Sequence, residues 1–413
     1  MESDPEQPAA TPERPKIRPL EAFPVVVENR QVVCLRDPQR ISDQTLFVSR
    51  HAYFIISRFN GENSILDVQS DFARRFGEII FRERILELIA QLDEACFLDN
   101  DRFRRRLDDL KSEYDSRPLR KACHAGTSYP AEPEALRSRL DEIFALHPPD
   151  GASPKNAAAA VAPHIDIAAG AAAYAAAYRE ISASDADTFV ILGTAHSGSG
   201  DLFCVPEKDF ETPLGAVLLD RDALESVRTK LGDAVHDGEF HHRAEHSVEF
   251  QTVFLSYLFG ARRDFRILPV LCDSFHHMLA AGVEPRDVPE VKNLVEALLE
   301  ILRSRPGRVC VIAGADLAHV GRRFGDDVAM THVLLERVKR EDLEMLERVE
   351  ACDPAGFFAS LAGDGDWRRI CGFSAIYLML NLLDGKRGRL LLYDQAVEQQ
   401  AQSVVSFAAL AYH

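Results

Sequence analysis

The sequence lacks the features that mark secreted, membrane-spanning and nucleic-acid-binding proteins. Its 413 residues contain no apolar run that could cross a bilayer, and the first residues have neither the basic start nor the apolar stretch of a secretory signal. The 48 basic residues are outnumbered by 65 acidic ones, and the net charge of −17 excludes the basic surface that binds nucleic acid or anionic membranes. We therefore expect a cytoplasmic protein with no nucleic-acid partner and no membrane partner.

The eight cysteines are scattered, and no two of them are spaced as Cys-x-x-Cys. This absence excludes a zinc ribbon and a disulfide framework and is typical of reduced thiols in a core. The chain also has no His-Glu-x-x-His zinc-protease motif, no phosphate-binding Gly-Lys-Ser/Thr loop and no Gly-x-Ser-x-Gly nucleophile elbow. These standard catalytic templates are therefore excluded.

Composition and periodicity divide the chain into four predicted segments. Residues 1–19 hold five prolines and no periodic apolar pattern, which predicts a disordered leader. Residues 20–100 combine short strands with three helical patterns and predict a small α+β domain. Residues 101–119 mix arginines with acids and predict a solvated connecting helix or linker. Residues 120–413 predict a large α/β domain.

The small amino-terminal domain resembles PqqD-like, winged-helix peptide-recognition modules. The matching features are the Phe59-Asn60-Gly61 turn, the helix start at Ile65-Leu66-Asp67-Val68 and the ending from Leu92 to Leu98. The resemblance implies that this domain presents a peptide or a partner protein. The alternative is a small α+β cap that only packs on the larger domain.

Strand and helix patterns alternate from residue 120 onwards. Val190-Ile191-Leu192 and Val309-Cys310-Val311-Ile312 are continuous apolar runs, as expected of parallel strands that are covered on both faces. The alternation predicts a three-layer α/β domain with a central, mostly parallel sheet. Strands are predicted at 157–162, 188–192, 265–271, 309–313, 390–393 and 404–411.

Histidines occur at three predicted strand ends. The segments are Ala162-Pro163-His164, Gly193-Thr194-Ala195-His196 and Asp316-Leu317-Ala318-His319. One strand–helix–strand crossover fits between the first two, which puts both imidazoles at the carboxyl edge of one sheet, where open sheets bind ligands. Imidazole and carboxylate are both metal ligands, so His164, His196, Asp316 and His319 predict a metal-centred pocket. Two histidines and one carboxylate would suit iron(II), although Asp316 could instead cap the following turn.

Further pocket residues are predicted around the segment His241–Glu249. His246 and Glu249 lie three apart at a predicted helix start and share one face, so His246 could move a proton while Glu249 orients it. A solvent-exposed helix start is the alternative. His124 and Asp166 are candidates for the substrate pocket, and Asp166 could equally cap a helix that begins near Ala168.

Seven segments, taken in order, resemble the Memo family, called AmmeMemoRadiSam system protein B in bacteria. The resemblance covers nearly all of residues 120–413. The segments are Cys123–Pro130, Ala162-Pro163-His164, Ile191–His196, Glu245–Glu249, Ile267–Leu271, Asp316–His319 and Cys371-Gly372.

The family is similar in fold to the class III extradiol dioxygenases, which use non-haem iron(II). The resemblance implies that His164 and His196 bind the metal and that His246 is the acid/base of the pocket. Animal members have a cysteine in an Asp-Phe-Cys-His segment where this chain has Ala318, which has no ligand atom. The third ligand therefore stays open between Asp316, His319, His246 and water.

The leading functional prediction is an iron(II)-dependent oxidoreductase of dioxygenase type that acts on a small molecule or a modified peptide. Copper and zinc are the alternative metals. One rival is a non-enzymatic peptide-binding or scaffold protein, and another is a metal-dependent hydrolase. The family resemblance implies radical-SAM and AMMECR1-like proteins as partners.

Overall fold

The structure is a computed structural model that describes residues 13–147, 156–198, 200–232 and 238–413. The chain divides between Ser116 and Arg117 into two compact units. Within the described ranges, no helix has both the length and the apolar character that a bilayer crossing requires.

Among its described residues, the first unit consists of a three-stranded antiparallel sheet and four helices. The strands pair in the order β1–β2–β3, and the apolar faces of the first three helices and of the sheet form one core. Ser64 and Asp67 cap the second helix reciprocally, which fixes its predicted start at Ile65. The elements are β1 (Glu21–Val27), β2 (Arg30–Arg36), β3 (Thr45–Val48), α1 (Arg50–Ile56), α2 (Ile65–Phe76), α3 (Arg82–Glu94) and α4 (Asp101–Ser116).

The boundaries of this unit differ from the predicted ones at both ends. Most of the predicted disordered leader lies outside the described residues. Its last residues belong to the first unit, since Ile17 bridges to Leu98 and the buried guanidinium of Arg18 bonds the carboxylate of Asp37. The predicted linker forms the single helix α4, which also belongs to this unit.

The second unit is the predicted α/β domain, and its described residues form a mixed, mostly parallel sheet of eleven strands flanked by helices. Its strands are β4 (Leu119–Arg120), β5 (Ala159–Ala162), β6 (Thr188–Thr194), β7 (Phe203–Cys204), β8 (Asp209–Thr212), β9 (Gly215–Leu219), β10 (Arg266–Cys272), β11 (Val309–Gly314), β12 (Asp316–Gly321), β13 (Gly388–Glu398) and β14 (Ser403–Tyr412). Its helices are α5 (Pro133–Ala145), α6 (Ala171–Ile181), α7 (Arg221–Leu231), α8 (His246–Phe259), α9 (His276–Ala281), α10 (Pro289–Ser304), α11 (His332–Glu350), α12 (Pro354–Asp364) and α13 (Phe373–Leu382).

The parallel centre of the sheet has the order β5–β11–β6–β10. Gly314 at the end of β11 is in register with Ala162 of β5 and with Gly193 of β6, so three strand ends meet at one edge. The next strand, β14, runs antiparallel to β5 and pairs with β12 and β13. The segment Asp316–His319, predicted to follow a strand end, is therefore itself part of an antiparallel edge strand.

Glycines at two of these strand ends allow α8 to approach the sheet closely. A Cβ atom on Gly193 would lie 2.7 Å from the Ser247 hydroxyl, and one on Gly314 would lie 2.7 Å from the Ser247 carbonyl oxygen. The Ser247 hydroxyl donates to the carbonyl of Thr194, and the Gln251 amide donates to that of Pro163, each at 2.9 Å. The first turn of α8 is thereby fixed at the edge where β5, β6 and β11 end.

A Gly193→Ala substitution should destabilise the protein by about 1–3 kcal/mol, because the added methyl group overpacks the contact with α8. Gly363→Ala is the matched control, since Gly363 lies in α12 with open space around it. That substitution should be neutral or should stabilise by about 0.5–1 kcal/mol. Urea unfolding of both variants measures the difference, and equal stability would contradict the close approach of α8.

Candidate metal centre

Three histidines converge at the edge where the parallel strands end. One ligand nitrogen from each of His164, His196 and His246 lies within 4.8 Å of the other two. The ring centroids of His164 and His196 are 4.7 Å apart, and those of His196 and His246 are 4.6 Å apart. The side chain of His164 is 2% exposed, whereas those of His196 and His246 are 31% and 29% exposed, so the group is open on the side of these two rings. The arrangement could hold a divalent metal ion.

Different elements supply these three imidazoles. His164 and His196 each follow the end of a parallel strand by two residues, as predicted. His246 is the first residue of α8, and the close packing of that helix on Gly193 and Gly314 brings its ring to within 5.4 Å of the His164 ring.

The carboxylate of Glu245 orients two of the three rings. Its Oε1 atom accepts a hydrogen bond from His196 Nδ1 at 3.0 Å and lies 3.2 Å from His246 Nδ1. His164 Nδ1 donates to the carbonyl of Gly314 at 2.8 Å. Because every Nδ1 atom faces an acceptor, the lone pairs that can bind a metal ion belong to the Nε2 atoms.

Burial and charge keep this group in the protonation states that favour metal binding. Burial lowers the pKa of His164 and holds that of His246 well below its usual value, in each case with a contribution from the neighbouring His196. Burial alone would raise the pKa of Glu245, but His196, His246 and the Ser247 amide hold it well below its usual value. At neutral pH the rings of His164 and His246 are therefore neutral, and Glu245 is ionised.

Two further donor atoms face the Nε2 atom of His164. The Cys371 sulfur lies 3.3 Å from it, and the Asp316 Oδ2 atom lies 3.5 Å away. The other Asp316 oxygen accepts the backbone amides of His164 and Ile165 at 2.9 and 3.1 Å. Burial, with Asp316 nearby, raises the pKa of the Cys371 thiol well above its usual value. Asp316 therefore lies at the predicted centre and also fixes the backbone there.

His319 does not belong to the three-histidine group among the described residues. It lies on β12, its Nδ1 atom donates to the carbonyl of Leu317 at 3.0 Å, and its ring packs on Phe324. Burial lowers the pKa of His319 to about 4. The pairing of β12 with β14, which the sequence did not predict, accounts for this placement.

Glu249, predicted to orient His246, has its carboxylate bonded to other partners. The Glu249 carboxylate forms a buried ion pair with Arg120 and accepts hydrogen bonds from the Tyr129 hydroxyl at 2.5 Å and from the His124 amide at 2.8 Å. Burial would raise the pKa of Glu249, but Arg120 lowers it below its usual value. Glu249 thus anchors the segment that begins the second unit, and Glu245 is the carboxylate at the His246 ring.

His124 and Asp166 occupy different positions. The ring of His124 lies 5.7 Å from that of His246, and its Nε2 atom donates to the carbonyl of Ala244 at 3.0 Å. The carboxylate of Asp166 is exposed and accepts the amide of Ala168 at 2.9 Å, so it caps the turn before α6. His124 therefore borders the centre, whereas Asp166 has the predicted alternative role of a cap.

Sequence reasoning missed three residues that build this site: Glu245, Cys371 and Arg120. Glu245 directly precedes His246, so an acid at the helix start was the signal that could have identified it. The only signal for Cys371 was its place in the Cys371-Gly372 segment of the family resemblance, which does not reveal its contact with His164. Gly372 allows close contact with β12, since a Cβ atom there would lie 2.5 Å from the Asp316 carbonyl oxygen. Nothing local distinguishes Arg120, whose partners near the start of α8 are 122 to 129 residues away.

The fold and the site define an α/β protein with a histidine-rich centre at the carboxyl edge of its sheet. A family model described as "Memo-like protein" matches residues 120–411. The chain belongs to the Memo family.

Curated relatives named "MEMO1 family protein" match most of the chain. One from Aquifex aeolicus is 29% identical over 92% of this chain and 95% of its own length, and one from Thermus thermophilus is 28% identical over 83% and 97%. A relative from Methanosarcina acetivorans is 30% identical over 71% of this chain and 98% of its own length. The Aquifex alignment, at 383 residues, is longer than the second unit and therefore extends into the first.

A Glu245→Gln variant should bind divalent metal about 10–100-fold more weakly, because an amide orients two imidazoles less well than a carboxylate does. Titration calorimetry with Zn²⁺ or anaerobic Fe²⁺ measures the change. Glu211→Gln, at an exposed position on β8, is the control and should bind like the wild type. Equal affinity in the two variants would contradict the orienting role of Glu245.

A His319→Gln variant should keep the metal stoichiometry of the wild type and change the acid stability. As the pH falls from about 6.5, the usual histidine pKa, to about 4, the unfolded chain binds a proton that the His319 ring of the folded protein does not. The free energy of unfolding of the wild type therefore falls across this window, and the variant should show a shallower decrease. Denaturant unfolding at several pH values measures the slope, and loss of metal would instead make His319 a ligand.

Proposed function

We propose that the protein is a metal-dependent oxidoreductase that binds iron(II) between His164, His196 and His246. Its substrate would be a small molecule or a modified peptide. The observation that carries the proposal is the convergence of three ring nitrogens within 4.8 Å, each ring with its other nitrogen beside a hydrogen-bond acceptor. Iron(II) at this position would supply the redox chemistry with dioxygen that amino-acid side chains lack.

The donor set fits a borderline divalent transition metal. Imidazole nitrogens suit iron, copper and zinc, whereas calcium and magnesium prefer a site built from oxygen atoms. The Cys371 thiol and the Asp316 carboxylate border the site on the His164 side, at 3.3 and 3.5 Å from the Nε2 atom of that ring. A thiolate there would favour softer metals, although the raised pKa of Cys371 means that its proton would have to leave as the metal binds.

The three histidines have separate tasks in this proposal. His164 is buried and fixed by the Gly314 carbonyl, so it defines the floor of the site. His196 is the most exposed of the three and lies where a substrate would enter. Because the Nδ1 atom of His246 faces Glu245, its single remaining lone pair can bind a metal or accept a proton, but not both. We assign His246 as the third ligand.

A zinc-dependent hydrolase is the second candidate. The metal centre consists of three imidazoles. Catalytic zinc sites use such a set of three protein ligands and leave the fourth position open. Zinc held in this way activates water for attack on a carbonyl group. The identity of the bound metal separates this candidate from the oxidoreductase.

We further propose that the first unit presents a peptide or a protein partner to the second. The Methanosarcina acetivorans relative is matched over 98% of its own length by 71% of this chain, so family members exist without a segment of this size. This comparison supports a role for the first unit that is separate from metal binding. Radical-SAM and AMMECR1-like proteins are the partners that the family resemblance suggests.

Substitution of His164, His196 or His246 by alanine should each remove metal from protein purified without oxygen. The loss of affinity should exceed the roughly 10–100-fold that follows from loss of an outer hydrogen-bond partner. Elemental analysis and anaerobic Fe²⁺ titration measure the effect, and His332→Ala, at the exposed start of α11, is the control. If the His246→Ala variant binds metal at full occupancy, His246 is not a ligand, and its predicted acid/base role is favoured instead.

Oxygen uptake then distinguishes the candidates. Iron-loaded wild type should consume oxygen with at least one member of a panel of catechols and phenolic peptides, and His164→Ala should not. Zinc-dependent ester or amide hydrolysis without oxygen uptake would support the hydrolase. A wild-type protein that binds no divalent metal would contradict both and favour the scaffold.

A further inference from the structure

A second group of reactive side chains follows β10, apart from the three histidines. Ser274 and His276 lie just beyond the end of this strand, and Asp366 lies just after α12. The Ser274 hydroxyl bonds the Nδ1 atom of His276. The Nε2 atom of the same ring lies 2.5 Å from the Oδ2 atom of Asp366. A hydroxyl, an imidazole and a carboxylate are thus in contact in that order.

The exposure of the three groups follows the same order. Ser274 is exposed, the side chain of His276 is 37% exposed, and that of Asp366 is only 4% exposed. The other oxygen of Asp366 accepts the amide of Ile370 at 3.1 Å, which fixes the carboxylate. A buried carboxylate that faces a histidine, which in turn contacts an exposed hydroxyl, is the arrangement that activates a serine nucleophile.

The turn before α9 explains only part of this arrangement. The Ser274 oxygen accepts the amide of His276, two residues further on, at 3.2 Å, as a serine in a turn does. That bond accounts for the serine but for neither the imidazole at its hydroxyl nor the carboxylate at the far ring nitrogen. The Oδ2 atom of Asp366 lies close to the His276 ring, but the two atoms are not aligned as a hydrogen bond. This buried oxygen can therefore stabilise the ring when the ring becomes charged.

The position of the group in the sheet suits a binding site. β10 is parallel to β6, and Cys272 at its end is in register with Thr194. Ser274 therefore lies at the carboxyl edge of the sheet, where ligands bind in open α/β folds. It does not contribute to the three-histidine group, so its chemistry would not require a metal.

We propose that Ser274 is an acyl-accepting nucleophile, with His276 as its general base and Asp366 as the residue that positions and stabilises the ring. The Ser274 oxygen attacks the carbonyl carbon of an ester, and the hydroxyl proton passes to His276 Nδ1. The bond from carbon to the leaving oxygen breaks, and that oxygen takes the proton from His276. Water then attacks the acyl group, His276 accepts a proton from the water, and Ser274 is regenerated with its proton.

Backbone hydrogen bonds limit the class of substrate. The amides of Ser274, Phe275 and His276 are bonded to Asp273, to Ser374 and to the Ser274 hydroxyl, respectively. This segment therefore has no free amide for a developing oxyanion, and such donors contribute about 100–1000-fold in rate to acyl transfer. The substrates that fit are small esters with good leaving groups, which need little stabilisation of an oxyanion.

The test uses the full-length protein treated with a chelator and a fluorophosphonate, with which the serine oxygen forms a bond to phosphorus as fluoride leaves. Mass spectrometry should locate the label on Ser274 in the wild type. Ser274→Ala should abolish that label, and His276→Gln and Asp366→Asn should each slow it at least tenfold. His332→Gln, at the exposed start of α11, is the control and should be labelled at the wild-type rate. Circular dichroism and melting temperature establish that each variant is folded.

Hydrolysis of p-nitrophenyl acetate gives a second readout. The chelated wild type should release nitrophenol faster than Ser274→Ala by tenfold or more. The proposal is contradicted if folded wild type is not labelled on Ser274, or if His276→Gln is labelled as fast as His332→Gln. Because the chelator removes metal throughout, these outcomes are independent of the oxidoreductase proposal.

Discussion

The carboxylate of Glu245 is the constraint on which the metal centre depends. It accepts hydrogen bonds from the side chain and the amide of His196, lies 3.2 Å from His246 Nδ1 and accepts the Ser247 amide at the start of α8. One anion thus joins the loop after β6 to the first turn of α8. It also fixes the tautomers, so that the lone pairs of both rings are directed away from the carboxylate. Without it, two of the three imidazoles would have no common orientation.

Packing brings the groups together before any metal contributes. Gly193 and Gly314 let α8 approach two strand ends more closely than any larger residue would allow. The buried ion pair between Arg120 and Glu249 anchors the next turn of the same helix, and Arg120 also donates to the carbonyl of Glu245 at 2.9 Å. Such a pair is costly to bury and costly to break, which suits a role in fixing geometry. The site is therefore organised by the fold.

Patterns of local sequence predicted the architecture of the second unit and the placement of two of the three histidines, His164 and His196. The apolar runs located the central strands, and the spacing of His164 and His196 placed both at one edge because parallel strands end together. The local pattern at Asp316–His319 could not distinguish the end of a parallel strand from an antiparallel strand, because both are apolar. The segment belongs to β12, which pairs with the distant β14. Glu245 and Glu249 are both acids at one helix start, and only tertiary contacts decide which of them faces His246. Cys371 comes into contact with His164 from 207 residues away, which no local pattern reveals.

The most direct test of the account is a crystal structure of the metal-loaded protein with anomalous data collected at the absorption edge of the metal. We predict one strong anomalous peak between the Nε2 atoms of His164, His196 and His246, at about 2.0–2.2 Å from each. The Glu245 carboxylate should remain on the Nδ1 side of His196 and His246. A peak at another site, or a bound metal with any of the three rings turned away from it, would contradict the account.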